Sequence, residues 1–205
     1  LMVKKHIIKD KKTKIYIFHP YSGQGGADLS ISRLINGLDR KKYVIDFISL
    51  NAPSIKKKIK KKISYKRIFV KRTLLSFSKI KNHIIKDNKR YKKKIFISNQ
   101  YFANVLSLFF LKNIINLKIV LLERNHLDEF KNSNNLIDFL KKKLIKIFIK
   151  IIYKKADLII GNSYRLSKDL ESFINKKVHT IYNPCYFSGY KKKNISRNNK
   201  KIILN

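Results

Sequence analysis

Two short segments carry residue types suited to binding an anion or moving a proton. The first is the run Gly23-Gln-Gly-Gly26, which lies between a β-rich segment and a segment with helical spacing. Glycines at such a junction let backbone amides approach an anion, and the start of the helix adds a favourable dipole. The second is the run Glu123-Arg124-Asn125-His126, which follows an apolar segment directly. A histidine there could act as a general acid or base, or hydrogen-bond a sugar.

The glycine run matches neither of the two common nucleotide-binding loops. A dinucleotide-binding Gly-x-Gly-x-x-Gly pattern that starts at Gly23 meets Asp28 at its last position. No Gly-Lys-Ser or Gly-Lys-Thr follows, so the run is not a P-loop either. We therefore expect it to contact a phosphate or a sugar, in preference to forming a plain glycine turn.

The histidines do not all carry the same expectation. For His126 two interpretations stay open: an acid/base group, or a surface histidine beside a structural pair of Glu123 and Arg124. His19 also ends a β-rich segment, but Pro20 follows it, and this favours a structural role. No cluster with metal-ligand or Ser-His-Asp spacing stands out, so we predict no metal and no cofactor.

Seven β-rich segments alternate with helical segments or long loops and must position these residues. Hydrophobic spacing predicts strands over 14–19, 43–50, 63–70, 94–98, 118–123, 157–162 and 178–182, and helices over 27–38, 74–87, 102–111, 136–155 and 164–174. This alternation predicts an α/β, Rossmann-like fold with an open parallel sheet and helices on both faces.

Ligands bind such a sheet beyond the carboxyl ends of its strands. The predicted strands place the loops 19–28, 99–101, 124–129 and 162–164 at that edge. The edge therefore adds Asn162 and Ser163, and also Asn183 after the last predicted strand, to the substrate-binding residues that we predict.

The charge of the chain suggests a polyanionic partner, but the composition weakens that suggestion. The 205 residues include 49 Lys and Arg against 12 Asp and Glu, a formal charge of +37. Of the basic residues 41 are lysine and 8 are arginine, the residue preferred for forked phosphate and base contacts. Lysine, isoleucine and asparagine, all with A/T-rich codons, together supply 93 residues. We therefore attribute most of the charge to composition and expect no specific nucleic-acid partner.

The segment 139–155 combines apolar and basic periodicity. Leu140, Leu144, Ile147, Phe148 and Ile151 form an apolar stripe, and lysines recur every four residues from position 142 to position 154. Such a basic amphipathic helix can lie on an anionic membrane. A helix that packs against a sheet shows the same stripe, and we expect packing here.

The composition also bears on the compartment and on the extent of the chain. The single cysteine, Cys185, excludes a disulfide framework, and we see no signal peptide or apolar run of membrane-spanning length. We expect a cytoplasmic protein.

The polar, basic run 188–200 is typical of a linker, and the apolar run 201–205 of a strand that has just begun. We therefore predict one domain over 1–187, a linker over 188–200 and the first strand of a missing donor-binding domain over 201–205.

Three stretches together resemble the N-terminal domain of family-4 (group 1) retaining glycosyltransferases, which have the two-domain GT-B fold. The first is GQGGADLSISRLINGLDRKKYVIDFISL, in which Asp28 stands for the acidic residue that many members have after Gly-Gly-Ala. The second is IVLLERNH, and the third is KKADLIIGNSYRLSKDL followed by VHTIYNPCY. Each stretch alone is only weakly specific for the family. Their order and spacing together are fairly specific.

The resemblance implies roles for particular residues. In the family the glycine loop faces the donor diphosphate and the acceptor, which implies Gly25 and Gly26 here, and we predict that Asp28 beside them also binds substrate. The residues after the fifth strand often touch the acceptor or the transferred sugar, which implies Arg124 and Asn125, with His126 as the predicted catalytic residue. The family's nucleotide-sugar site lies mainly in the C-terminal domain and has two glutamates eight positions apart, a motif that this chain lacks.

The resemblance predicts a retaining, nucleotide-sugar-dependent glycosyltransferase of cell-surface polysaccharide synthesis. Its partners would be a nucleotide-sugar donor and a glycan or lipid-linked acceptor, and its basic face could hold it on the inner side of the cell membrane. We expect the 205-residue chain alone to be inactive. Two other classes stay open: another GT-B enzyme, such as a nucleotide-sugar epimerase, and a basic nucleic-acid-binding domain.

Overall fold

Short runs rich in isoleucine, phenylalanine and other β-formers make up the strands of the molecule. The structure, a computed structural model, describes residues 11–23, 25–52, 54–60, 62–130 and 135–183. Seven strands lie within these ranges: β1 Thr13–Phe18, β2 Tyr43–Ser49, β3 Ser64–Arg67, β4 Lys94–Asn99, β5 Leu117–Glu123, β6 Leu158–Gly161 and β7 His179–Thr180.

All seven strands are parallel and form one open sheet in the order β3-β2-β1-β4-β5-β6-β7. The chain runs outward from β1 in one direction and then returns to run outward from β4 in the other. The ends of β1 and β4 therefore flank the point where the strand order reverses, which is where open α/β sheets bind ligands. The predicted Rossmann-like α/β fold is confirmed.

Within the described ranges five α-helices connect these strands, and their predicted positions agree with the structure to within a few residues. Their bounds are α1 Gly26–Gly37, α2 Thr73–Lys86, α3 Tyr101–Leu111, α4 Leu136–Ile152 and α5 Tyr164–Ile174. Side-chain caps fix two of the starts. Asn135 accepts a hydrogen bond from the Asp138 amide at 2.8 Å, and Ser163 accepts one from the Leu166 amide at 3.3 Å.

Two apolar clusters hold the helices on the two faces of the sheet. On one face, Ile31 and Ile35 of α1 pack with Ile55 against the isoleucines of β1 and β2. On the other face, α2, α3, α4 and α5 enclose a larger cluster that includes Phe77 and Ile149, both fully buried. Full burial of one such side chain contributes about 1.5–3 kcal/mol. Both faces of the sheet therefore carry helices, as parallel sheets require.

The expectation that the apolar stripe of α4 packs against the sheet is wrong. Ile149 and Ile152 face the core instead, and Ile145 packs beside them. The predicted stripe is 43 to 60% exposed, and its members are Leu140, Leu144, Ile147, Phe148 and Ile151. The helix has apolar residues on two sides, so periodicity could not decide which side is buried.

The predicted linker over 188–200, the predicted strand over 201–205 and the predicted domain end at 187 lie outside the described residues. The division into domains therefore stays a prediction. Within the described ranges, no helix has the length and apolar character needed to cross a membrane.

Candidate functional site

A buried histidine and a buried asparagine meet across the point where the strand order reverses. His19 follows β1, Asn99 ends β4, and each is 1% exposed. The Asn99 amide nitrogen lies 3.0 Å from His19 Nδ1. Burial lowers the pKa of His19 below its ordinary value, although the Asp28 carboxylate opposes this shift. His19 is therefore neutral around pH 7.

Arg124 fixes the orientation of the Asn99 amide. Its Nε lies 2.8 Å from Asn99 Oδ1, and a guanidinium can only donate hydrogen bonds. The oxygen of the amide must therefore face Arg124, and its NH₂ must face His19. It follows that His19 Nδ1 is the acceptor and that the ring proton is on Nε2. Burial lowers the pKa of Arg124, but a guanidinium keeps its charge at neutral pH.

Asp28 connects this pair to the glycine loop. Its carboxylate accepts hydrogen bonds from Ser22 Oγ at 2.6 Å and from the Gly23 amide at 3.1 Å. Its Oδ2 also lies 3.6 Å from His19 Nε2. Asp28 is 3% exposed, so both of its oxygens serve to hold the loop in place. The predicted substrate-binding role of Asp28 stays a prediction.

Gly25 and Gly26 lie at the exposed start of α1. Gly25 is the N-cap, and no side chain caps this end of the helix. A methyl group built on either glycine would meet no atom within 4 Å. Packing within the described residues therefore does not require glycine at these positions. Both remain predicted contacts for a ligand, which the uncapped amides of the first turn suit.

On its other side Arg124 reaches Asn183, the third residue after β7. Its Nη1 donates to Asn183 Oδ1 at 3.2 Å, and the same oxygen accepts a hydrogen bond from Ser30 Oγ at 2.9 Å. Asn183 is exposed and Ser30 belongs to α1. A continuous chain of contacts thus joins the ends of β1, β4, β5 and β7. It runs from the glycine loop through Asp28, His19, Asn99 and Arg124 to Asn183. We call these residues the edge network.

A cavity of about 1030 Å³ opens beside the edge network, between α1 and the sheet. Its floor is apolar and includes Ile97, Val120 and Leu122, which belong to β4 and β5. Its polar wall at the carboxyl edge consists of Ser30, Arg124, Asn162 and Asn183, and basic residues at its other borders are Arg33, Lys57, Lys58 and Lys60. The cavity can therefore take a ligand that has polar groups and negative charge.

The only acidic residue among the described residues of the cavity lining is Glu123, and its carboxyl group points to the other face of the sheet. Its Oε1 accepts hydrogen bonds from Asn104 Nδ2 at 2.6 Å and from the Tyr153 hydroxyl. Burial raises the pKa of Glu123 to about 8, which these two hydrogen bonds only partly offset. The alternative in which Glu123 and Arg124 form a structural pair does not hold, because Glu123 bonds Asn104 and Tyr153 on one face, whereas Arg124 bonds Asn99 and Asn183.

His126 lies outside the lining of the cavity. Its Nε2 is 2.5 Å from Asp169 Oδ2, and its Nδ1 is 2.7 Å from Asp128 Oδ2. Carboxylates thus occupy both ring nitrogens and tie the loop after β5 to α5. The catalytic role of His126 stays a prediction that would require it to leave these partners.

The remaining predicted residues occupy different places around the same edge. Asn162 lines the cavity and donates to the Arg124 carbonyl at 3.3 Å. Asn125 is exposed and donates to Glu129 Oε2 at 2.8 Å. The Ser163 hydroxyl caps α5. The structure therefore brings Arg124, Asn162 and Asn183 together at the cavity.

Sequence reasoning missed the two residues at the centre of the edge network. The sequence favours a structural role for His19 and indicates Asn99 only as the first residue of a loop at the carboxyl edge. His19 directly follows β1 and Asn99 ends β4, and these two strands flank the reversal of the strand order. That position was the available signal, because polar residues rarely end two neighbouring buried strands without a shared partner.

One group of residues has the ligand types of a metal site but already contains its own cation. Asp46, His83 and Asp87 place their donor atoms within 4.8 Å of one another. Lys14 Nζ lies 2.6 Å from Asp46, and His83 Nε2 lies 2.9 Å from it. Burial alone would raise the pKa of Asp46, but the hydrogen bonds from His83 and Lys14 lower it below its ordinary value. The ammonium group balances the carboxylate, so this cluster needs no metal ion.

No family model matches the sequence, and no curated protein is significantly similar to it. Solved structures do match. The Anabaena protein HepE in complex with UDP and glucose is 15% identical, over 83% of this chain and 44% of that chain, with a TM-score of 0.53. Sucrose-phosphate synthase from Thermosynechococcus elongatus is 14% identical, over 85% and 48%, with a TM-score of 0.60. UGT2 of Phytolacca americana, complexed with UDP-2fluoro-glucose and pterostilbene, is 10% identical, over 88% and 54%, with a TM-score of 0.58.

At these identities the likeness shows a shared fold and nothing finer. The chain spans about half the length of the three structures that it matches. Its open parallel sheet with helices on both faces therefore corresponds to about half of each of those chains.

Proposed function

We propose that this chain is the acceptor-side half of a GT-B glycosyltransferase that uses a nucleotide diphosphate sugar. The observation that carries the proposal is the edge network, which holds the Arg124 guanidinium beside a large cavity at the carboxyl edge of the sheet. A fold shared with structures whose ligands are UDP and UDP-2fluoro-glucose supports a donor of that class.

The reaction transfers a sugar from the diphosphate to a hydroxyl group of the acceptor. The bond between the anomeric carbon and the diphosphate oxygen breaks, a bond from that carbon to the acceptor oxygen forms, and the acceptor proton leaves. Negative charge grows on the leaving diphosphate, and fixed cations and amides placed there lower the barrier. Arg124 and the amides of Gly25 and Gly26 supply this stabilisation from this half of the enzyme, together with the donor-binding half.

The polar wall of the cavity serves to orient the acceptor. Asn162 and Asn183 offer amide groups that can pair with sugar hydroxyls, and Ser30 already bonds Asn183. Asn125 and Ser163 flank this wall at the same edge of the sheet. His126 takes the acceptor proton once it is released from its carboxylate partners. In keeping with the family that the sequence resembles, the product retains the anomeric configuration.

The acceptor is a glycan or a lipid-linked saccharide of cell-surface polysaccharide synthesis. An enzyme that uses such an acceptor and a cytoplasmic nucleotide sugar works at the inner face of the cell membrane. The protein is therefore peripheral on that face.

The test is a transfer assay with the protein expressed from its complete reading frame. The purified protein is incubated with membranes and a panel of radiolabelled UDP-, GDP- and dTDP-sugars, and the lipid extract and the polymer fraction are counted. We expect one donor to label one of these fractions, with release of the matching nucleoside diphosphate. Absence of transfer from every donor, or transfer by the 205-residue chain alone, would contradict the proposal.

A further inference from the structure

Helix α4 buries one of its two apolar sides and leaves the other in solvent. Ile149 is fully buried and Ile152 is 8% exposed. An α-helix turns once in 3.6 residues, so side chains that lie half a turn away from Ile149 point outward. These side chains are also apolar. We call them the outer stripe; they are Leu136, Ile137, Leu140, Leu144, Ile147 and Ile151, and they are 45 to 72% exposed.

Single exposed apolar residues are ordinary, but a continuous row of them marks a surface that meets a partner. The outer stripe extends over the whole of α4, whose 17 residues span about 25 Å. After the adjacent pair Leu136 and Ile137, its members follow at spacings of three and four residues, which keeps them on one side of the helix. The buried core contacts of α4 come from the opposite side, and Ile147 borders a shallow hollow that it shares with Phe173 of α5.

Basic residues border the outer stripe on both sides. Lys141 lies along one border and Lys143 and Lys150 along the other, and all three are exposed. The only acidic residue of α4 is Asp138, which lies toward the buried side and pairs with Lys142 at 2.7 Å. The outer stripe therefore has cations at its edges and no carboxylate among the α4 residues that border it.

We propose that the outer stripe of α4 lies in the headgroup layer of an anionic bilayer, with the helix axis parallel to the membrane surface. An exposed apolar side bordered by lysines is the pattern of an interfacial helix. The aliphatic side chains enter the acyl boundary, while the lysine ammonium groups stay at the level of the lipid phosphates. The partner is thus the lipid surface itself, and the net charge of +37 draws the chain toward it.

The inference rests on the proposed function for its location at the membrane, but its test needs no sugar donor. The purified 205-residue chain is mixed with vesicles of pure phosphatidylcholine or of phosphatidylcholine with phosphatidylglycerol, and flotation gives the partition coefficient. We expect strong binding to the anionic vesicles and weak binding to the neutral ones. A failure here leaves the transfer assay unaffected, and a failure of transfer leaves this result unaffected.

A variant of the outer stripe tests the apolar contribution. It combines Leu140→Ser, Leu144→Ser and Ile151→Ser, and the matched control combines Leu74→Ser, Leu75→Ser and Ile85→Ser in α2, which are 42 to 58% exposed. A half-exposed aliphatic side chain that becomes buried gains about half of the free energy of full burial, which corresponds to a factor of about five in binding. The stripe variant should therefore bind anionic vesicles about a hundredfold more weakly, and the control should bind like the unchanged chain.

A second pair of variants tests the charge and does not depend on the apolar substitutions. One double variant combines Lys143→Gln and Lys150→Gln in α4. The other combines Lys79→Gln and Lys81→Gln in α2 and changes the net charge by the same amount. A lysine at an anionic surface is worth a factor of about five in binding. The first pair should lower binding to anionic vesicles about twenty-fold, and the second should lower it much less.

Three outcomes would overturn the proposal. In the first, the stripe variant binds like the unchanged chain. In the second, both members of a matched pair lose binding equally, so that net charge or hydrophobicity alone decides. In the third, the chain ignores vesicles but self-associates in light scattering, and the stripe variant abolishes that association; the outer stripe would then meet a second copy.

Discussion

Replacing Asn99 by leucine should release Arg124 from the edge network without changing the backbone of β4. Leucine has the same branching at Cγ as asparagine and is bulkier, but it can neither donate nor accept a hydrogen bond. The variant Asn99→Leu therefore removes the acceptor of Arg124 Nε, at 2.8 Å, and the donor to His19 Nδ1, at 3.0 Å. His19 is 1% exposed, so its nitrogen cannot find water instead.

The size of the effect follows from these two contacts. A hydrogen bond to a charged group contributes about 1.5–3 kcal/mol, and a neutral one about 0.5–1.5 kcal/mol. The apolar leucine regains part of the loss through burial in a site that is almost closed to water. We expect the free energy of unfolding to fall by about 2–4 kcal/mol in Asn99→Leu. The exposed Asn82→Leu, in α2, is the matched control and should change it by less than about 0.5 kcal/mol.

Two measurements on the same variants separate stability from positioning. Urea unfolding gives the free energy, and ¹⁵N NMR follows the Nε–H of Arg124. In the unchanged chain this proton should be protected from exchange with water, and in Asn99→Leu it should exchange freely. An unchanged Arg124 resonance in a folded Asn99→Leu variant would refute the orientation argument, whatever the stability.

The variant Asn99→Asp tests the tautomer of His19. The new carboxylate can accept from Arg124, but it also turns an acceptor toward His19 Nδ1, which must then carry a proton. In the unchanged chain the pKa of His19 is lowered, so the unfolded state takes up a proton first, and stability is lost as pH falls below about 6.5. In Asn99→Asp the pKa of His19 should be raised and this acid-side loss should disappear. Equal pH dependence in the two proteins would contradict the assignment.

Two further predictions concern groups around the edge network. Glu123→Gln keeps the acceptor for the Tyr153 hydroxyl and removes the ionisation. The pKa of Glu123 is raised to about 8 in the unchanged chain, which should therefore lose up to about 1.4 kcal/mol of stability per pH unit as pH rises toward 8, and the variant should not. Urea unfolding across that pH range measures both proteins. Parallel curves of unfolding free energy against pH would contradict burial of a neutral carboxyl group. Gly161→Ala would place a methyl group against the Ser167 side chain and 3.3 Å from its Cα, so its melting temperature should fall with a loss of about 1–3 kcal/mol. Gly37→Ala, which meets no atom within 4 Å, should leave it unchanged or raise it, and the reverse order would contradict the packing of α5 on β6.

The strands and helices were predictable because each has a clear period and clear ends. The apolar segments of β1, β2, β4 and β5 are bounded by turn residues, and side chains of Asn135 and Ser163 cap the starts of α4 and α5. The side of α4 that packs was not predictable. Its two apolar sides give the same hydrophobic period, and only the tertiary packing selects Ile149 and Ile152.

The candidate site was predictable as a place but not as a set of contacts. The carboxyl edge follows from the order of strands and helices, and Arg124, Asn162 and Asn183 do meet there. The partners of each residue depend on distances between strands that are far apart in the sequence, such as the 80 residues that separate His19 from Asn99. The side chains of β5 alternate between the two faces of the sheet. The direction of the Glu123 carboxyl group therefore depends on the residue at which β5 ends. The resemblance to a family predicts neither the contact between His19 and Asn99 nor the direction of the Glu123 carboxyl group.

The rate of sugar transfer by two arginine variants tests the central claim most directly. Arg124→Ala removes the cation that the edge network holds beside the cavity, and Arg165→Ala removes one whose side chain is 85% exposed on α5. Removal of one preorganised charge contact lowers a transfer rate by about a hundredfold or more. With the protein from the complete reading frame and its own donor, we expect that loss for Arg124→Ala and an unchanged rate for Arg165→Ala. Equal rates for the two variants would contradict a role of the carboxyl-edge cavity in sugar transfer.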